Sequence, residues 1–192
     1  MPVAALRNFA PQPAATPSAV RQIADFMTGA SFETVSATAA DVEALQRTAP
    51  AGTRIYLTAI PGRPADEAIA SAVQLRAAGF EPVPHLAVRG LAGAAMLDDV
   101  VLRMAATGVR RLMVIAGDQD RVAGSYTQAL DVIESGLLQR AGIVEVGIAG
   151  YPEGHPRIST EMLDRALAAK IEAADETGLK VHIVTQFGVE AP

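Results

Sequence analysis

No cysteine occurs in the 192 residues, so there is neither a disulfide frame nor a thiolate metal site to build on. No apolar run approaches the ~20 residues a bilayer requires, and the opening MPVAALRNFAPQPAATP lacks the charged and apolar regions of a signal peptide. The 16 Lys and Arg are scattered and the net charge is −5, so there is no basic patch and nucleic acid is not expected as a partner. No Gly-x-Gly-x-x-Gly follows a strand-like segment, which argues against a dinucleotide-binding Rossmann fold. No Gly-x-Ser-x-Gly elbow is present either, and the three histidines, His85, His155 and His182, lack metal-ligand spacing. These absences leave a cytoplasmic protein with no expected metal and no membrane. Half of its residues are hydrophobic and its mean hydropathy is +0.24, enough for one well-packed domain.

The pattern along the chain is a repeated strand and helix. Residues 1–16, rich in Ala and Pro, read as an irregular arm, and residues 17–192 as one domain. Thr16-Pro17-Ser18 caps a helix in which Val20, Ile23, Ala24 and Met27 recur at helical spacing until Gly29. Strands are expected over residues 31–36, 54–60, 82–88, 111–115, 143–148 and 180–184. Helices are expected over residues 39–48, 65–78, 92–106, 126–140 and 159–177, several ended by glycines suited to positive φ. Such alternation demands parallel strands with right-handed crossovers, either doubly wound or as a barrel.

In both architectures ligands gather at the carboxyl ends of the strands. There the chain places Pro84-His85-Leu86, Ala116-Gly117-Asp118, Thr185-Gln186-Phe187 and, most distinctively, Ala149-Gly-Tyr151-Pro-Glu-Gly-His155-Pro156. Some of these residues have plain structural explanations. His85 could be a hydrogen-bonded strand histidine and Asp118 a helix cap. Glu153 and Arg157 read as a solvated loop pair, Met96, Met104, Met113 and Met162 as core filler, and His182, early in its strand, as structural. Glu33 is harder to explain away. Alternation puts it opposite Phe32 and Thr34, half inside a sheet covered on both faces, where an unpartnered carboxyl holds its proton as a general acid does.

Taken in order, Ser31-Phe-Glu33, Pro84-His-Leu86, Ile115-Ala-Gly-Asp118, the segment ending Tyr-Pro-Glu-Gly-His-Pro156, Lys170 and Val184-Thr-Gln-Phe187 resemble the methylenetetrahydrofolate reductase family across residues 31–187. The resemblance implies a (β/α)8 TIM barrel, of which about six βα units are present. It also implies a flavoprotein oxidoreductase of one-carbon metabolism, in which FAD takes electrons from NAD(P)H and reduces 5,10-methylenetetrahydrofolate to 5-methyltetrahydrofolate. By that resemblance Glu33 is the acid that protonates the folate, Asp118 the carboxylate beside the flavin ring, and Gln186 a pterin-binding residue. Thr58, His85, Gly117, Tyr126, Ala149, Tyr151, His155 and Lys170 fall where the family contacts FAD. The helix acid at the cofactor is either Asp164 or Glu161.

Two positions depart from the family pattern: Thr34-Val35-Ser36 stands where an aromatic and Pro-rich sequence is common, and Ala116 where an Arg often precedes Gly-Asp. A full barrel takes about 250 residues, so six units are expected to leave open sheet edges: either the sequence is a fragment, or other chains, as in a homo-oligomer, cover the gap. The alternative is a non-catalytic flavin- or folate-binding module, or a subunit active only in an oligomer.

Overall fold

The computed structural model describes residues 17–119 and 121–186. The chain divides into two compact units, residues 1–30 and 31–192. The expected arm over residues 1–16 and the cap at Thr16 lie outside the described residues, as does Phe187. In the first unit Pro17–Phe26 forms helix α1, whose Val20, Ile23 and Phe26 are all exposed.

The second unit carries strands β1 (Phe32–Thr34), β2 (Arg54–Leu57), β3 (Glu81–Ala87), β4 (Arg111–Ile115), β5 (Glu145–Gly150) and β6 (Lys180–Thr185). Helices α2 (Ala39–Thr48), α3 (Ala65–Ala77), α4 (Ala94–Ala106), α5 (Ala129–Glu134), α6 (Leu137–Arg140) and α7 (Thr160–Glu176) lie between them. Among the described residues all five ladders are parallel, and the strand order is the chain order. A flat sheet would hold β2 and β6 roughly 19 Å apart at ~4.8 Å per step. Yet Tyr56 of β2 hydrogen-bonds His182 of β6 at 2.8 Å. The sheet is therefore curled, a partial (β/α)8 barrel.

Alternation along each strand divides the side chains into two sets. Ile55, Leu57, Leu86, Leu112, Val114, Val146 and Ile148 face outward into the main core against α3, α4, α5 and α7. Tyr56, Val83 and Met113, with Ile115, Ala149 and Val184 against them, form a smaller cluster on the concave face.

Several boundaries differ from expectation. Strand β1 ends at Thr34, whose hydroxyl donates to Ser36 O as the chain turns, and β2 ends at Leu57. Strand β3 starts at Glu81 and contains Pro82 and Pro84, which cannot donate to a ladder. Its pairing with β4 accordingly begins beyond both, at His85↔Met113. Strand β5 runs from Glu145 rather than 143. The single helix expected over residues 126–140 is two short ones, because Gly136 adopts φ +67° and breaks the hydrogen-bond run. Gln128 and Asp131 form a capping box at the start of α5, so Tyr126 precedes the helix instead of opening it.

Candidate active site

The carboxyl ends of β1, β2 and β3 bring three polar side chains together. Thr58 Oγ1 donates to Glu33 Oε1 at 2.6 Å, and His85 Nε2 lies 3.8 Å from the same oxygen. The register explains this meeting: Glu33 pairs with Tyr56, two residues before Thr58 and on the same face, and His85 follows Pro84, the partner of Leu57. Burial pushes the His85 imidazole below its ordinary range, with the Glu33 carboxylate acting the other way, so near neutral pH the ring is uncharged. Glu33 is less covered than its sequence position suggests. Its side chain is 56% exposed, because β1 is an edge strand with one neighbour among the described residues.

A cavity of about 370 Å³ opens beside this cluster. Thr58, His85, Gly117 and Asp118 line it, together with the apolar side chains of Leu86, Leu91, Met96, Val100 and Ile115. Asp118 stands exposed on the loop after β4. It caps no helix, since α5 begins eleven residues later behind its own capping box. Gly117, at φ +90°, sits where a Cβ would meet the Ala87 Cβ at 3.2 Å, so the loop passes close to the end of β3.

Arg89 fixes this loop. Its Nε donates to Thr127 O at 2.9 Å, and its carbonyl accepts from Ala123 N at 2.8 Å. Gly124 presses against the β3–α4 connection so tightly that a Cβ would come within 2.5 Å of Leu91 O. Thus Arg89 brings a guanidinium to the loop that carries Ala116, Gly117 and Asp118.

A second group gathers beyond the end of β5. Lys170 of α7 reaches back to donate its ammonium to Ala149 O at 3.2 Å, and burial lowers its pKa from the usual lysine value. Tyr151 and His155 stack edge to face at 5.3 Å, with His155 Nδ1 accepting from Arg157 N. Tyr126 is half-buried against the main core. Asp164 and Glu161 both stand exposed on α7, where Glu161 pairs with Arg165. Gln186 is exposed just past β6. The candidate residues thus form an arc along the strand ends in two clusters, one at β1–β4 and one at β5–α7.

The sequence reading missed the polar interior below this arc. Glu145, nearly buried at the start of β5, takes Arg111 Nε at 2.8 Å and Arg54 at 3.1 Å, while Arg111 also binds Glu81. Burial works to raise the Glu145 carboxyl, but the two guanidiniums and His182 together hold it below the carboxylate range. The signal was present: β2, β3, β4, β5 and β6 each open on a charged residue, Arg54, Glu81, Arg111, Glu145 and Lys180.

Among the described residues no group of three or more His, Asp or Glu could hold a metal, and no helix is long and apolar enough to cross a membrane. The family model described as methylenetetrahydrofolate reductase matches residues 32–190, taking in all six strands and both clusters of the arc.

Proposed function

The chain belongs to the methylenetetrahydrofolate reductase family, and from that premise we propose that it reduces 5,10-methylenetetrahydrofolate to 5-methyltetrahydrofolate in the cytoplasm with electrons from NAD(P)H. The observation that carries this reading is the Glu33, Thr58 and His85 cluster, of which Thr58 and His85 line the cavity. A folate whose methylene bridge opens needs one proton from a positioned acid. Thr58 occupies Glu33 Oε1 as a donor, so Oε2 is the oxygen through which Glu33 would pass a proton to the folate. His85, kept neutral by burial, adds no competing charge beside it.

The residues present suit FAD. A concave, largely apolar wall beside Gly117 fits a flat ring, and the Lys170 ammonium with His155 suits a diphosphate. Thr58, His85, Gly117, Asp118, Tyr126, Ala149, Tyr151, His155 and Lys170 would hold it, with Asp164 or Glu161 as the helix acid. Gln186 would take the pterin. When bound, FAD supplies the hydride chemistry. Asp118 places a negative charge at the cavity wall and thereby sets how readily a bound electron acceptor is reduced. The exposed apolar residues of the edge strands, Phe32 on β1 and Ile183 on β6, favour a homo-oligomer, which light scattering tests.

The experiment is absorbance of the purified protein. Flavin bands that bleach with NAD(P)H and return with methylenetetrahydrofolate are expected. Bands that bleach but do not return leave a flavin-binding module without folate turnover, and a colourless protein that takes up no added FAD overturns the reading.

A further inference from the structure

Beneath the Glu33 cluster the concave face holds a second set of titratable groups that the proposed reaction does not use. Tyr56 lies between two imidazoles, its ring edge-to-face with His85 at 6.1 Å and with His182 at 6.0 Å. Its hydroxyl is 2.8 Å from His182 Nε2, and His182 Nδ1 is 2.8 Å from Glu145 Oε1. That last contact is close, but it does not make a hydrogen bond, so Nδ1 is buried against the carboxylate without one. Arg111 and Arg54 pin the Glu145 carboxylate from the other side.

The chain has made room for this arrangement. Gly147, opposite His182 in the β5–β6 ladder, could not carry a side chain: a Cβ there would stand 2.6 Å from His182 Nε2. A ring admitted at the cost of a strand glycine, aimed at a phenol and backed by a pinned carboxylate, is more than filler.

We propose that Tyr56, His182 and Glu145 form a relay under the site, joined by a hydrogen bond at the phenol and a close charge contact at the carboxylate, in which Tyr56 is the positioning residue for His85 and, through it, for the proton donor Glu33. The catalytic part of this statement rests on the folate-reductase reading; the relay itself does not. Glu145 draws the imidazole proton to Nδ1, leaving Nε2 to accept from the Tyr56 hydroxyl, and the phenol so held keeps its near-perpendicular contact with His85. Protonation of His182 turns Nε2 into a donor and reverses the bond, so that the phenol oxygen accepts and its proton must turn elsewhere. The charged and titratable groups facing His182 are Glu145 on β5, Arg54 and Tyr56 on β2 and Arg111 on β4, with Glu81 behind Arg111 and His85 across the phenol. Burial and the two guanidiniums lower the His182 pKa while Glu145 raises it, so the ring is neutral near pH 7.

With three histidines in the chain, the test is long-range 1H–15N correlation of the full protein, titrated across the imidazole range. His182 is expected as the Nδ1–H tautomer; the Nε2–H tautomer overturns the relay. In Tyr56→Phe the loss of the donor proton is expected to raise the His182 midpoint by about half a pH unit. The His85 midpoint is expected to move with it while that of His155 does not. An unmoved His85 overturns the positioning role, since a ring that merely fills space is replaced by Phe without consequence. The wild-type tautomer decides the first arm even if Tyr56→Phe fails to fold. If the protein binds no FAD, the reductase reading fails while both magnetic-resonance arms still judge the relay. If FAD is bound, Tyr56→Phe should slow folate turnover severalfold and displace its pH profile, with flavin reduction by NAD(P)H unaffected.

Discussion

Gly147→Ala is a single added methyl group whose cost follows from distances. The backbone at 147 is ordinary, so conformational strain does not enter, and the effect is steric. The new carbon would stand 2.6 Å from His182 Nε2, 3.0 Å from His182 Cε1 and 2.8 Å from Met113 Sδ. Met113 can bend away, but His182 cannot move without surrendering its bond to Tyr56 and its contact with Glu145. Overpacking a filled interior costs ~1–3 kcal/mol, and one lost neutral hydrogen bond adds about 1 kcal/mol. A total of roughly 2–4 kcal/mol lowers Tm by about 4–16 °C in a domain of this size. The assay is a thermal and urea double-mutant cycle with His182→Ala. If the clash with the imidazole is the cause, the double variant loses less stability than the two single losses added, by ~1 kcal/mol or more. A Gly147→Ala protein within ~0.5 kcal/mol of the wild type, or strict additivity in the cycle, would refute the claim that the glycine exists to admit His182.

Glu33→Gln should keep flavin reduction by NAD(P)H and lose folate turnover by about 10²–10⁴-fold, the range for removing a general acid; equal losses in both half-reactions in stopped flow would make Glu33 a structural residue. Asp118→Asn should raise the potential of bound flavin, because it removes a negative charge from the cavity wall, and spectroelectrochemical titration showing no change takes Asp118 out of the site. His85 and His182 have pKa values lowered from the ordinary 6.5, so the unfolded chain binds more protons than the folded one just below that pH. Stability is therefore full above about 6.5 and falls as pH drops through the window beneath it; Tm against pH should show that slope, and a His85→Gln, His182→Gln double variant that retains it would refute the assignment. Glu145→Gln leaves Arg54 and Arg111 facing a neutral amide in a half-buried setting, and should cost at most ~3 kcal/mol, discounted because Arg54 is partly exposed; urea midpoints unchanged from wild type would show the pair to be inert.

Much of the architecture was legible because periodicity records burial. The strands β2 to β6 stand out as short, largely apolar runs, and the turn glycines at 79, 108, 142 and 178 all adopt positive φ as expected. The helix over residues 126–140 was misjudged because its apolar spacing continues straight through Gly136, and only the backbone shows the left-handed break there. Glu33, Thr58 and His85 were each identifiable by resemblance, yet their contact was not, since it depends on the stagger between β1, β2 and β3. His182 was correctly placed away from the strand ends. Its partners were hidden, because Tyr56 lies 126 residues away and no local pattern encodes an encounter across a curled sheet.

The coincidence of strand order with chain order has a consequence for how the polypeptide acquires its shape. Each ladder joins consecutive strands, so as the chain leaves the ribosome a new strand finds its partner already made, with only one helix and its loops to close. The bonds that cross the concave face are of another kind: Arg54 to Glu145 spans 91 residues and Tyr56 to His182 spans 126. They wait for β5 and β6, and so form after the neighbouring ladders are in place. Contacts absent from the folding transition state act on the rate of opening rather than of folding. On that order of assembly the polar contacts of the interior serve as a late latch, governing how long the native state lasts once it is reached.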